Sequence, residues 1–89
     1  MWIPCLQREL REGMRLRCSR GLFEGRVGTV SCKTTVNCNG TFHTYRFVGD
    51  DGGDWEVHME APDNGSAINV SLREYRKTLK LDGYERLAT

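Results

Sequence analysis

Four cysteines and two histidines, Cys5, Cys18, Cys32, Cys38, His43 and His58, are the residues of this chain that invite a zinc site or a thiol nucleophile with its base. Zinc knuckles hold two ligands two to four residues apart, and no pair of these cysteines has that spacing. Cys32 and Cys38 on one extended strand would lie roughly 20 Å apart at ~3.3 Å per residue, too far to share a metal or a disulfide. Cys38 and His43 can approach each other on one face of a hairpin, and Cys5 is unplaced. The expectation is no metal and no cofactor, with reduced thiols throughout and Cys18 and Cys32 in the core.

Acid-base chemistry would fall to Asp54, Glu56 and His58, and a cysteine beside a histidine would make a nucleophile-base pair. Nothing in the spacing locates an oxyanion hole or a nucleophile elbow, so the chain is expected to be a non-enzyme with no catalytic residues. Trp55, Val57 and Met59 alternate with Glu56, His58 and Glu60. That alternation predicts a half-buried strand with His58 on its polar face between two carboxylates, which in principle raise its pKa.

Binding chemistry is the remaining class. A net charge of +1 is distributed unevenly: residues 1–48 hold eight Lys/Arg against three Asp/Glu, residues 49–63 hold none against six, and residues 64–89 hold five against three. Arg15, Arg17, Arg20, Arg26, Lys33 and Arg46 form a candidate basic strip, while Asp50, Asp51, Asp54, Glu56 and Glu60 form a candidate acidic patch. A strip of that size would meet RNA or DNA, and the acidic patch would repel phosphate and suit an Arg/Lys-rich protein groove instead. Phe42 and Trp55 are the candidate aromatic contacts. Such a dipolar surface orients a charged partner during approach.

Positioning these groups requires strands. Asn39-Gly40 between the runs 26–38 and 41–48 predicts a two-residue hairpin turn in which Cys38 faces Thr41, Cys32 faces Phe47, and Lys33 faces Arg46. Val30, Cys32, Val36, Tyr45 and Phe47 then share the core face. Gly49-Asp50-Asp51-Gly52-Gly53-Asp54 is a second turn, and residues 61–67 read as a loop. Ser71-Leu72-Arg73-Glu74 fits a capping box and predicts a helical turn, whereas residues 72–87 are open between a longer helix and a terminal hairpin around Asp82-Gly83. Trp2 and Ile3 are expected to pack from an N-terminal extension, residues 1–12, with a helical turn near Leu6 and Leu10.

Residues Gly13 to Val30 read Gly-Met-Arg-Leu-Arg-Cys-Ser-Arg-Gly-Leu-Phe-Glu-Gly-Arg-Val-Gly-Thr-Val, two short alternations separated by glycines that permit a reversal, with Leu16, Cys18 and Val30 inward. This segment resembles the KOW motif, the strand-turn-strand piece of small SH3-like barrels in ribosomal proteins and transcription elongation factors. The resemblance implies contact with RNA or with a protein of the same machinery. A length of 89 residues with 38% hydrophobic content supplies one small core. The expected protein is therefore an all-β, SH3-like five-stranded barrel over residues 1–89, with one or two peripheral helical turns. No membrane span or secretion signal is apparent, and a cytoplasmic location is expected. The favoured function is a non-catalytic protein-binding module within or against a nucleic-acid-handling complex, a class that includes small phage or mobile-element inhibitors of host complexes. The alternative is a KOW-type module that binds RNA or DNA through the basic strip; an unpaired strand edge would also support a homodimer.

Overall fold

Short β-rich alternations separated by glycine turns assemble here into an antiparallel sheet, seen in a computed structural model that describes residues 1–38, 40–60 and 67–88. The strands are β1 (Trp2–Leu6), β2 (Arg15–Cys18), β3 (Val27–Asn37), β4 (Gly40–Gly49), β5 (Asp54–Glu60) and β6 (Lys80–Leu87). One 3-10 turn (Gln7–Glu9) follows β1, and one helix, α1 (Ala67–Lys77), precedes β6. The strand order is β1-β6-β2-β3-β4-β5, leaving β1 and β5 as the edges. The all-β class is as expected. The sheet has six strands where five were predicted, because Trp2–Leu6 is a strand paired with β6 and not an extension. No helix among the described residues is long and apolar enough to cross a membrane.

The core comprises Cys5, Leu10, Leu16, Cys18, Val30, Phe47 and Leu81, with Met14, Tyr45, Trp55, Val57 and Tyr84 packed against it. Leu16, Cys18 and Val30 point inward as the alternation predicts. Cys32 does not belong to the core; it is half-buried, and the fully buried thiol is Cys5.

The β3–β4 register corrects the predicted hairpin. Asn37 pairs with Gly40, Cys32 with Tyr45 and Val30 with Phe47, so β3 ends at Asn37 and Gly40 lies inside β4. Lys33 consequently faces Thr44, and Ser31 faces Arg46, which removes the predicted Lys33–Arg46 pair. Packing explains the choice. In the observed register Gly28 lies opposite Gly49, and the fully buried Phe47 ring occupies the space beside Gly28, where an added Cβ would meet ring carbon Cζ at 2.6 Å. A slip of two residues keeps every side chain on its face, so the predicted faces of both strands survive.

The β4–β5 ladder contains an irregularity that the alternation does not announce. Tyr45 pairs with His58, whereas Arg46 pairs with Glu56, leaving Val57 as an extra residue. A bulge reverses which side chains face the core beyond it. Trp55 and His58 therefore both share the face of Phe47 and Tyr45, and Met59 turns outward, 49% exposed. The predicted placement of His58 on the polar face is overturned.

Both C-terminal alternatives give way to a third arrangement. The helix starts at Ala67, so Ser71 is interior and not a cap, and Arg76 and Lys77 occupy the last turn, where cations suit the helix dipole. Residues 61–66 of the predicted loop lie outside the described residues. Asp82-Gly83 does not turn a hairpin: β6 runs through it and pairs with β1 on one side and β2 on the other. Two ladders satisfy more backbone groups than a terminal hairpin does.

Gly28 provides the sharpest test of this packing. Gly28→Ala drives a Cβ to 2.5 Å from the Val48 carbonyl oxygen as well as into the Phe47 ring. The expected loss is about 3 kcal/mol by urea unfolding, typical of overpacking, partly recovered when Phe47→Leu is added; an unchanged midpoint refutes the register.

Candidate interaction surface

Two chain reversals, residues 19–26 between β2 and β3 and residues 50–53 between β4 and β5, meet the Asp82-Gly83 segment of β6 at one end of the sheet. Gly21 and Gly25 take φ of +84° and +88°, a backbone region that other residues enter at a cost, and this lets the first loop fold tightly. Its backbone is pinned by Gly25 N–H to the Cys18 carbonyl and Cys18 N–H to the Arg26 carbonyl, both 2.8 Å, and Ser19 N–H reaches the Gly83 carbonyl at 2.9 Å.

The loop presents Leu22, which is 99% exposed, and Phe23, 43% exposed. Phe23 stacks on Trp55 with centroids 4.9 Å apart, Trp55 stacks on Phe47 at 4.8 Å, and Phe47 leans on Tyr84 at 5.9 Å. The indole N–H of Trp55 donates to the Tyr84 hydroxyl, and the Arg26 guanidinium lies over the Phe23 ring at 4.8 Å. A column of aromatics thus runs from the core to the surface. Trp55, predicted as a contact residue, serves as the support of that column, and the exposed ring is Phe23. Leu22 and Phe23 escaped the sequence-based choice of site, although an apolar pair between two turn glycines is the signal that marks them.

The predicted cations and carboxylates do not form separate patches. Arg15 pairs with Asp50 and donates to Thr29 Oγ1 at 2.9 Å. Arg17 pairs with Glu85 at 2.8 Å and lies over the Trp2 ring at 5.3 Å. Arg20 pairs with Asp82, and Arg46 with Asp54 at 2.8 Å. Asp51 is exposed in its turn, Glu56 is exposed beside the cross-strand Arg46, and Glu60 meets Lys77 at 3.6 Å. Lys33 is exposed on β3, away from that end of the sheet. Phe42 is half-buried opposite Thr35, on the sheet face opposite Trp55, so the two predicted aromatics are not brought together. The outer face is a band of alternating sign. Exposed ion pairs of this kind add little stability but leave little unneutralised field.

The groups with nucleophilic or basic potential are poorly poised. Burial, helped by Glu9, pushes the Cys5 thiol up to about 11, and burial also raises Cys18. Thiolate is the reactive form, so both are inert in the fold. Burial lowers the His58 pKa, outweighing Glu60 and Glu56, while its ring stacks on Tyr45 at 6.4 Å. His43 Nδ1 is 3.0 Å from Thr34 Oγ1. Arg86 Nε lies buried 2.6 Å from Glu9 Oε2, an ion pair in which the N–H direction misses hydrogen-bond geometry. Among the described residues no three His, Cys, Asp or Glu side chains converge as a ligand set.

Two measurements check these environments. With a thiol reagent at mildly alkaline pH, Cys38 and Cys32 should label in the native protein and Cys5 and Cys18 only on unfolding; uniform labelling of all four contradicts the core. A depressed His58 pKa means the unfolded chain binds a proton the fold rejects. Stability is therefore complete above the unfolded value of about 6.5 and falls as pH drops toward the lower folded value. His58→Gln should flatten the urea midpoint between about pH 7 and about pH 5, and an NMR titration of His58 above about 6.5 would place it on the polar face after all.

No protein-family model matches this chain, and no curated protein or solved structure matches it significantly, so its function has to be argued from these side chains.

Proposed function

We propose that the chain is a non-catalytic protein-binding module that acts within or against a nucleic-acid-handling complex, through the end of the sheet that carries Leu22 and Phe23. The carrying observation is the pairing of Arg15, Arg17, Arg20 and Arg46 with carboxylates of the same chain. Phosphate binding draws its affinity from cations that release condensed counterions. A guanidinium already holding a carboxylate must exchange that partner for a phosphate, and the net gain is small. Protein recognition has the opposite requirement: a rigid apolar anchor surrounded by polar groups of both signs. Phe23, backed by the stacked Trp55, meets it, with Leu22 exposed beside it.

The setting rests on the KOW-like segment, whose two alternations correspond to β2 and the start of β3. The SH3-like barrel belongs to this proposal and not to the observed topology: β6-β2-β3-β4-β5 follow one another in an open six-stranded sheet, with β1 outside them. Small inhibitors from phages or mobile elements that occupy a host complex fit this reading, and so does a resident subunit.

The test is capture from the native cell type with nuclease-treated and untreated lysate. A stoichiometric protein should survive nuclease and moderate salt, and Leu22→Asp should reduce its capture at least tenfold while Lys33→Ala leaves it intact. Loss of every partner with nuclease, together with binding to labelled RNA or DNA that weakens steeply with salt, would replace this proposal with direct nucleic-acid binding.

A further inference from the structure

Arg26 differs from its neighbours in the predicted basic strip. Arg15, Arg17, Arg20 and Arg46 each hold a carboxylate, whereas the Arg26 guanidinium pairs with none among the described residues. Its placement explains the difference. It lies over the Phe23 ring at 4.8 Å, and a Cβ built on Gly53 would stand 3.7 Å from its Nη1 and 2.8 Å from the Trp55 ring. Arg26 thus bridges the 19–26 loop and the 50–53 turn, against the stacked rings of Phe23 and Trp55. The carboxylates that flank that turn are already taken, Asp50 by Arg15 and Asp54 by Arg46. Glu24 and Asp51 stand exposed on the same two segments, where water and salt screen them, while Arg26 is half-buried and its charge is the less screened. A cation held on a ring, short of a counter-charge and next to the exposed Leu22 and Phe23, is one half of a recognition pair.

We propose that the partner engages this end of the sheet with a peptide segment that carries an aspartate or glutamate within two residues of an apolar side chain. The inference rests on the protein-binding reading above and names the chemistry of the partner. The apolar side chain packs on Phe23 and Leu22, and the carboxylate accepts hydrogen bonds from the Arg26 guanidinium. The planar fork of a guanidinium donates two parallel N–H bonds to one carboxylate. Contact with the Phe23 ring fixes the plane of that fork in advance, so less side-chain freedom is lost on binding. The spacing follows from the 4.8 Å between ring centroid and guanidinium carbon. Side chains on one side of an extended segment are ~6.6 Å apart, two residues along the chain. Nucleic acid is the poorer occupant, because its affinity draws on several cations at once and Arg15, Arg20 and Arg46 are neutralised within the chain. A basic segment would set like charge against Arg26 beside the same apolar anchor.

Random peptides displayed on phage and selected on the full wild-type chain test this. Selected sequences should carry Asp or Glu within two residues of Leu, Ile, Phe or Met. A synthetic peptide from the selection should bind Arg26→Gln about tenfold more weakly, and Arg26→Lys with a smaller loss. Replacing its acid by the amide should cost about tenfold on the wild-type chain and nothing further on Arg26→Gln, the signature of a direct pair. Selection on Arg26→Glu should exchange the acid for Lys or Arg. Selected peptides without the acid, an acid dependence that survives Arg26→Gln, or a library that yields no ligand overturns the inference. Tighter binding of a single-stranded RNA than of the selected peptide at the same salt does so too. Lysate capture separates this failure from the wider one: a partner lost with Leu22→Asp but kept with Arg26→Gln leaves the protein-binding reading in place and removes only the acidic segment.

Discussion

The Phe47 ring fills the space that Gly28 leaves empty on the neighbouring strand, and much of the sheet follows from that fit. It selects the β3–β4 register over the one that the local turn signal prefers. It also gives Trp55 a flat surface to stack upon, and Trp55 in turn supports Phe23. A fully buried ring of the core is thereby connected, ring by ring, to an exposed loop. Dispersion between stacked rings is individually small, but three in sequence stiffen a surface residue that would otherwise sample several rotamers.

The outer face obeys a different constraint. Strand alternation sends Arg15, Arg17 and Arg46 outward, and the turns and β6 bring Asp50, Glu85 and Asp54 to them. Charges that are segregated along the sequence are thus interleaved in space, because antiparallel pairing places distant segments side by side. A patch inferred from sequence position alone has no reason to persist as a patch on a sheet.

The same distinction governs what the sequence discloses about the fold. Period-two alternation is local, so the inward set Leu16, Cys18, Val30 and Phe47 was readable, and a hairpin slip of two residues left it intact. The bulge at Val57 was not readable, since it depends on how β5 meets β4, and it carried His58 to the other face. The capping signal at Ser71 was equally local and lost to a helix that begins at Ala67. Trp2–Leu6 could not be recognised as a strand without its partner, which lies about eighty residues further on. Within the candidate site the charges were readable, but their pairings were not, and Phe23 became visible only once Trp55 stood beneath it.

That remote partner has a temporal meaning. Strand β6 is inserted between β1 and β2, although it is synthesised after β1 to β5. Until it emerges from the ribosome, β1 has no neighbour and one side of β2 is bare, while the β3–β4–β5 meander can already pair locally. Assembly is therefore ordered, with a meander that waits for a late closing strand, and non-local closure of this kind is slow. In the interval the chain carries an unpaired β2 edge, the period in which another strand, from this chain or a neighbouring one, competes for the place of β6.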